Sequence, residues 1–167
     1  MTRRSDQEKF DRFTELAARV LQVPIVSLSL VGPRHGVVIS SAGLPAPLVL
    51  LLAHRFSRHV AASRRPLVID DARDHPLGAN APAVRDGLVT AYAGVPLFDA
   101  GGRTLGTLCV MDTQPRVWTR EQLDRLCDVA WVLGHGVDWR APRRAGAEPH
   151  KWRRATTGRS TPRPSHG

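Results

Sequence analysis

"LVTAYAGVPLFDAGGRTLGTLCVMDT", Leu88 to Thr113, contains two apolar runs joined by Asp99, Ala100, Gly101 and Gly102. Aspartate and glycine accept the backbone angles of a tight turn, so two runs adjacent in sequence become one antiparallel pair. Pro96 has no amide hydrogen to give to a ladder and belongs at an edge or a bulge. In the second run, alternation places Leu105, Thr107, Cys109 and Met111 on one face and Leu108 and Val110 on the other, as in a strand buried on both sides. The rest of the chain must be arranged around this hairpin.

After the hairpin, Thr119 and Gln122 have the spacing of a capping box. Leu123, Leu126, Cys127, Ala130, Gly134 and Val137 then line one face of a terminal helix. Before it, "PLVIDDA" (66–72) reads as a third strand closed by acidic residues, followed by a loop rich in Pro, Asp and Asn. Val49, Leu52, Phe56, His59 and Val60 share a helical face running to about Ala62. "PIVSLSLVG" (24–32) is a β-branched, alternating strand, with Ile25, Ser27 and Ser29 opposite Val26, Leu28 and Leu30. "GPRHGVVISSAG" (32–43) supplies a turn and a second short strand. At the start, Ser5 and Glu8 form another capping-box pattern, and Phe10, Phe13, Ala17, Val20 and Leu21 make an apolar stripe that ends before Pro24. The order is helix, two strands, helix, strand, loop, hairpin, helix, which is an α+β domain on one largely antiparallel sheet.

The 167 residues suffice for one domain of roughly 100 to 200 residues and a tail. From Arg140 to Gly167 there are eight Lys or Arg against Glu148 alone, a net of +7 out of the chain's +9. That tail lacks Val, Ile, Leu, Met and Phe, so it is expected to be a disordered basic extension of a domain spanning 5–139. No apolar stretch follows the early arginines, and the apolar run Leu48 to Ala53 is far short of the ~18 residues a membrane span needs. The expectation is a soluble, cytoplasmic protein. Cys109 and Cys127 show neither metal-type spacing nor the number needed for a disulfide framework.

The colinear succession of "VSLSLVG" with "GLP", then "HRFSRHV", "PLVIDDARDHP", "AYAGVPL" and "GTLCVMDTQPRVWT" resembles the GAF family of sensory domains, over about Phe10 to Trp139. The resemblance implies a PAS-like antiparallel sheet of five to six strands. It also implies N- and C-terminal helices packed on one face, often forming a dimer surface, and a small-molecule pocket on the other. Relatives of this type often carry a thiol where this chain has Ser57. Neither cysteine here adjoins a histidine, as the attachment pair of bilin-binding members would require, and the cyclic-nucleotide signature of other members is not recognisable.

Ligand-pocket candidates are Phe56, His59, Asp71, Arg73 and Tyr92. His59 shares the stripe of Phe56 and is either a satisfied core histidine or a polar group aimed into the pocket. His54 and His59 are not a metal pair, since five residues turn a helix through about 500° and place them on different faces. Asp70, Asp71, Arg73, Asp74 and His75 have donors for a metal or acid–base work, but aspartates at a strand end also cap amides and pair with a neighbouring arginine. Tyr92 offers a hydroxyl to a pocket, or is a sheet-packing aromatic. Gly101 and Gly102 are no phosphate cradle, because a strand rather than a helix follows. No catalytic residue, metal or cofactor is assigned.

These readings converge on a non-enzymatic sensory domain that binds an unidentified small molecule, forms a homodimer through its terminal helices, or does both, and signals to a separate output protein. One alternative is a reductase of free methionine sulfoxide, which needs an attacking thiolate and normally a resolving thiol. Another is non-specific binding of nucleic acid or an anionic partner by the basic tail.

Overall fold

The computed structural model describes residues 4–31, 36–44, 46–137 and 139, with only the backbone of 46–53. The basic tail, the turn at 32–35 and the expected stripe residues Val49 and Leu52 lie outside the described side chains. Elements follow in the order α1 (Arg4–Leu21), β1 (Ile25–Leu30), β2 (Val37–Ala42), α2 (Ala46–Ser63), β3 (Leu67–Ile69), a 3-10 turn (Ala72–Asp74), α3 (Pro82–Arg85), β4 (Ala91–Phe98), β5 (Thr104–Asp112) and α4 (Arg120–Gly136). The five strands form one sheet in the order β2-β1-β5-β4-β3, every pair antiparallel.

The central hairpin is β4 and β5. Asp99 Oδ1 accepts from the amides of Gly101 and Arg103, and Gly102 adopts φ +80°, a conformation that an L side chain resists. β3 pairs only with Tyr92, Ala93 and Gly94, so Pro96 lies where β4 has no strand on its outer side, as expected. One residue breaks the alternation. Leu97 pairs with Gly106 but Phe98 pairs with Thr104, so Leu105 is the extra residue of a bulge. Leu105 therefore packs with Leu108 and Val110 instead of with Cys109 and Met111.

Two cores lie on opposite faces of the sheet. Under α1 and α4, Phe10, Ala17 and Leu21 meet Leu126, Cys127, Ala130 and Leu133 across Val26, Leu28, Ala93, Val95 and Leu108. Under α2, Phe56 and Val60 cover Ile25, Tyr92, Cys109 and Met111, with Leu67, Ile69 and Val84 at the flank. The α1 stripe differs in two places from the sequence expectation. Thr14 is buried within it, where its hydroxyl meets Ser40 Oγ at 2.9 Å, and Val20 is exposed. Ser5 is also inside the first turn rather than at the cap, because Arg4 is already helical. At α4 the capping box forms as read: Thr119 Oγ1 accepts from the Gln122 amide and Gln122 Oε1 accepts from the Thr119 amide. No helix among the described residues is long and apolar enough to cross a membrane.

Candidate functional site

Beneath α2 the buried polar groups are Ser27, Ser57, Tyr92, Thr107 and Cys109. The floor of this face is set by strand register. Ile25, Met111 and Tyr92 are direct partners across β1, β5 and β4, and Ser27, Cys109 and Gly94 form the next such row. α2 closes over both rows with Phe56, Ser57 and Val60, because positions 56, 57 and 60 fall within about 100° of the helix circumference. Thr107 Oγ1 donates to the Ser57 carbonyl at 3.2 Å, which ties α2 to the central strand β5.

Phe56 and Tyr92 are brought together, with ring centroids 4.8 Å apart and planes tilted by 39°. Tyr92 is fully buried, and its hydroxyl lies 3.5 Å from Ser57 Oγ. Burial pushes the tyrosine well above its ordinary acidity range, and the neighbouring Cys109 acts in the same direction. Burial also pushes the Cys109 thiol up to about 12, despite the hydroxyls of Tyr92, Ser27 and Ser57 around it. Both groups are neutral at physiological pH. Ser27, Ser57 and Cys109 were not among the expected site residues. Their signal was the alternation Ile25, Ser27, Ser29 and the placement of Cys109 opposite Leu108 and Val110.

His59 does not join this group. It lies about 110° around α2 from the centre of the buried arc of Phe56, Ser57 and Val60, and its side chain is exposed. Sharing an i, i+3 spacing with Phe56 was too loose a criterion to place it. Asp71 and Arg73 sit instead on the turn after β3 and engage each other. Asp71 caps the 3-10 turn by accepting from the Arg73 amide, and its carboxylate takes the Arg73 guanidinium in a two-pronged pair at 2.9 and 2.6 Å. That bond holds the Asp71 carboxyl below its usual range. In the same turn, His75 Nδ1 accepts from the Leu77 amide, so its proton resides on Nε2. Burial and the proximity of His59 lower the His75 pKa.

Chemically, this face offers hydroxyls and one neutral thiol in apolar surroundings. Cys127 belongs to the core on the other face, so the sheet separates the two thiols. Among the described residues no group of three His, Cys, Asp or Glu side chains is arranged to hold a metal.

Comparison with known proteins adds family and fold. The GAF domain model matches residues 7–135. A search of the curated proteins finds no match. Among solved structures, the chain is similar to the GAF domain from Acinetobacter phosphoenolpyruvate-protein phosphotransferase, with 20% identity, 77% of this chain and 79% of that chain covered, and a TM-score of 0.64. The GAF domain/HD domain protein from Geobacter sulfurreducens gives 15% identity, 74% and 86% coverage, and a TM-score of 0.59. Type II free methionine-R-sulfoxide reductase from Thermoplasma acidophilum gives 11% identity, 77% and 89% coverage, and a TM-score of 0.64. At these identities the likeness is one of fold.

Proposed function

Because the chain belongs to the GAF domain family, we propose that it is a non-enzymatic sensory domain that holds a small molecule between α2 and the sheet, dimerises through α1 and α4, and passes its state to a separate cytoplasmic output protein. One observation carries this reading: the two faces of the sheet are built differently. Beneath α2, hydroxyls are buried among apolar side chains around Phe56 and Tyr92, the pattern of a site that orients a small ligand with a few polar groups. On the other side, the outer surfaces of α1 and α4 expose Leu16, Val20, Trp131 and Val132. Large apolar residues left in water on the two terminal helices favour association with a second copy. Asp71 and Arg73 close on each other beside the ligand site and hold the turn in place.

The reductase reading is the weaker one. It requires a thiolate and a second thiol within reach, whereas burial keeps Cys109 protonated and Cys127 lies behind the sheet.

Light scattering on the full chain tests the reading together with a thermal-shift panel of metabolites. The expected result is a dimer that Leu16→Glu combined with Val132→Glu converts to a folded monomer, and at least one metabolite that raises Tm. A chain that stays monomeric at every concentration and whose Tm no metabolite moves would overturn it.

A further inference from the structure

Charge is shared unevenly among the helices. α1 balances four Lys or Arg against four Asp or Glu, and α4 sets two Arg against three Asp or Glu. α2 and the two residues after it carry Arg55, Arg58, Arg64 and Arg65, and no aspartate or glutamate occurs between Glu15 and Asp70. Elsewhere arginines find a carboxylate two or four residues away, as Arg73, Arg103, Arg116, Arg120 and Arg125 all do. Arg55, Arg58 and Arg65 take part in none of these pairs.

The helix gathers its cations on one side. Phe56, Ser57 and Val60 are buried against the sheet, so Arg55, Arg58 and His59 occupy the opposite, exposed side. Arg55 and Arg58 are three residues apart, which brings their Cβ atoms to about 5 to 6 Å. At the end of α2, Arg64 adopts a φ of 56° and is anchored, its amide donating to the Val60 carbonyl and its Nη2 to the Gly102 carbonyl, each at 2.9 Å. Arg65 follows it into solvent. The helix dipole does not account for this placement, because it favours cations in the last turn and the last turn of α2 holds none. Like charges this close on a helix oppose its formation, so an anion laid across them removes a cost as well as adding attraction.

The composition of the face restricts the partner. Among the described side chains, none of the exposed large hydrophobic residues lies on α2. A protein partner is held by an apolar or aromatic centre to the contact, and a helix lying in a membrane surface buries an apolar face. A phosphate backbone needs cations alone, and the planar fork of arginine matches phosphate oxygens. From Arg55 to the helix end at Ser63 is about 12 Å, the axial rise of three to four phosphates of one strand.

We propose that the outer face of α2, with Arg55, Arg58 and Arg65 as its contacts, docks the sugar-phosphate backbone of nucleic acid without reading bases. The inference is independent of the sensory reading. It also differs from binding by the basic tail, since it places phosphate contacts on the folded domain.

Fluorescence anisotropy of a labelled DNA duplex, titrated with the full chain across a range of salt concentrations, tests this. Arg55→Gln combined with Arg58→Gln should weaken binding and lower the slope of log Kd against log salt by about 2, each phosphate contact contributing about 0.9. Adding Arg65→Gln should remove about 1 more. Arg55→Lys with Arg58→Lys keeps the charge and should keep the slope, which separates lost contacts from a packing defect. Arg12→Gln with Arg19→Gln removes the same charge from the exposed surface of α1 and should leave the slope of the parent. Four outcomes overturn the proposal. The duplex does not bind even at low salt, the α2 glutamine pair keeps the parent slope, the α1 pair loses as much as the α2 pair, or polyglutamate or anionic lipid vesicles bind more tightly than the duplex at equal charge. None of these touches the sensory reading, which is judged by light scattering and the metabolite panel.

Discussion

Tyr92 lies across Gly94, and the position of the ring depends on the missing Cβ two residues along the same strand. Phe56 then packs against the ring from α2, at 4.8 Å between centroids. Gly94→Ala should therefore destabilise the fold by about 1 to 3 kcal/mol, because the new methyl meets a ring that neighbouring side chains hold in place. Urea unfolding of Gly94→Ala, Tyr92→Ala and the double variant would measure the relationship. The double variant should lose clearly less than the two single losses combined. Strict additivity would mean that the two positions do not share the space.

Trp118 fastens the segment between β5 and α4 to the end of β3. Its indole Nε1 donates to the Ile69 carbonyl at 3.1 Å, its amide donates to Asp70 Oδ1 at 3.3 Å, and the Arg116 guanidinium lies 4.9 Å from its ring centroid. Trp118→Phe keeps most of the apolar area but leaves a buried carbonyl without its donor, so it should cost about 1 to 3 kcal/mol by urea unfolding. A neutral result would remove this clasp from the account of stability.

The His75 turn predicts a pH dependence. The folded-state pKa of His75 is depressed below 6.5, so on acidification the unfolded chain takes up this proton first. Stability should fall as pH drops below about 6.5, until the folded pKa is passed, and His75→Gln should flatten that part of the profile. His59 of α2 contributes to that depression, so His59→Gln should bring the His75 pKa back toward 6.5 and make the loss of stability at low pH smaller without abolishing it. Identical profiles for the parent and His75→Gln would contradict the placement of His75.

The two thiols make a kinetic prediction. With its pKa pushed up to about 12 and no exposed surface, Cys109 should resist iodoacetamide at pH 8, as should the buried Cys127, and both should alkylate once the chain is unfolded. Intact mass spectrometry reads this directly. Rapid native modification of Cys109 would reopen thiol chemistry for this domain.

The fold was legible where local chemistry and burial agree. The turn at Asp99 to Gly102, the Thr119–Gln122 cap and the alternation of β1 each reappear in the structure because each depends on residues adjacent in sequence. Leu105 escaped because a bulge shifts the phase of alternation by one, and nothing in the run marks where the shift occurs. In α1, Thr14 is buried where the Ser40 hydroxyl on β2 provides a partner that only the folded chain reveals, and Val20 at the end of the helix is exposed. The site was legible in part. Phe56 and Tyr92 meet, whereas His59 turns outward and Asp71 and Arg73 satisfy each other. The row of Ser27, Cys109 and Gly94 required the register of three strands, and register is a property of pairing rather than of any single segment.

Native mass spectrometry of the full chain, incubated with a dialysed small-molecule extract of cells and then desalted, tests the central claim most directly. A sensory domain with a ligand site under α2 should carry the added mass of one small molecule per chain, released on denaturation. A spectrum showing only the bare chain, across extracts and concentrations, would contradict it.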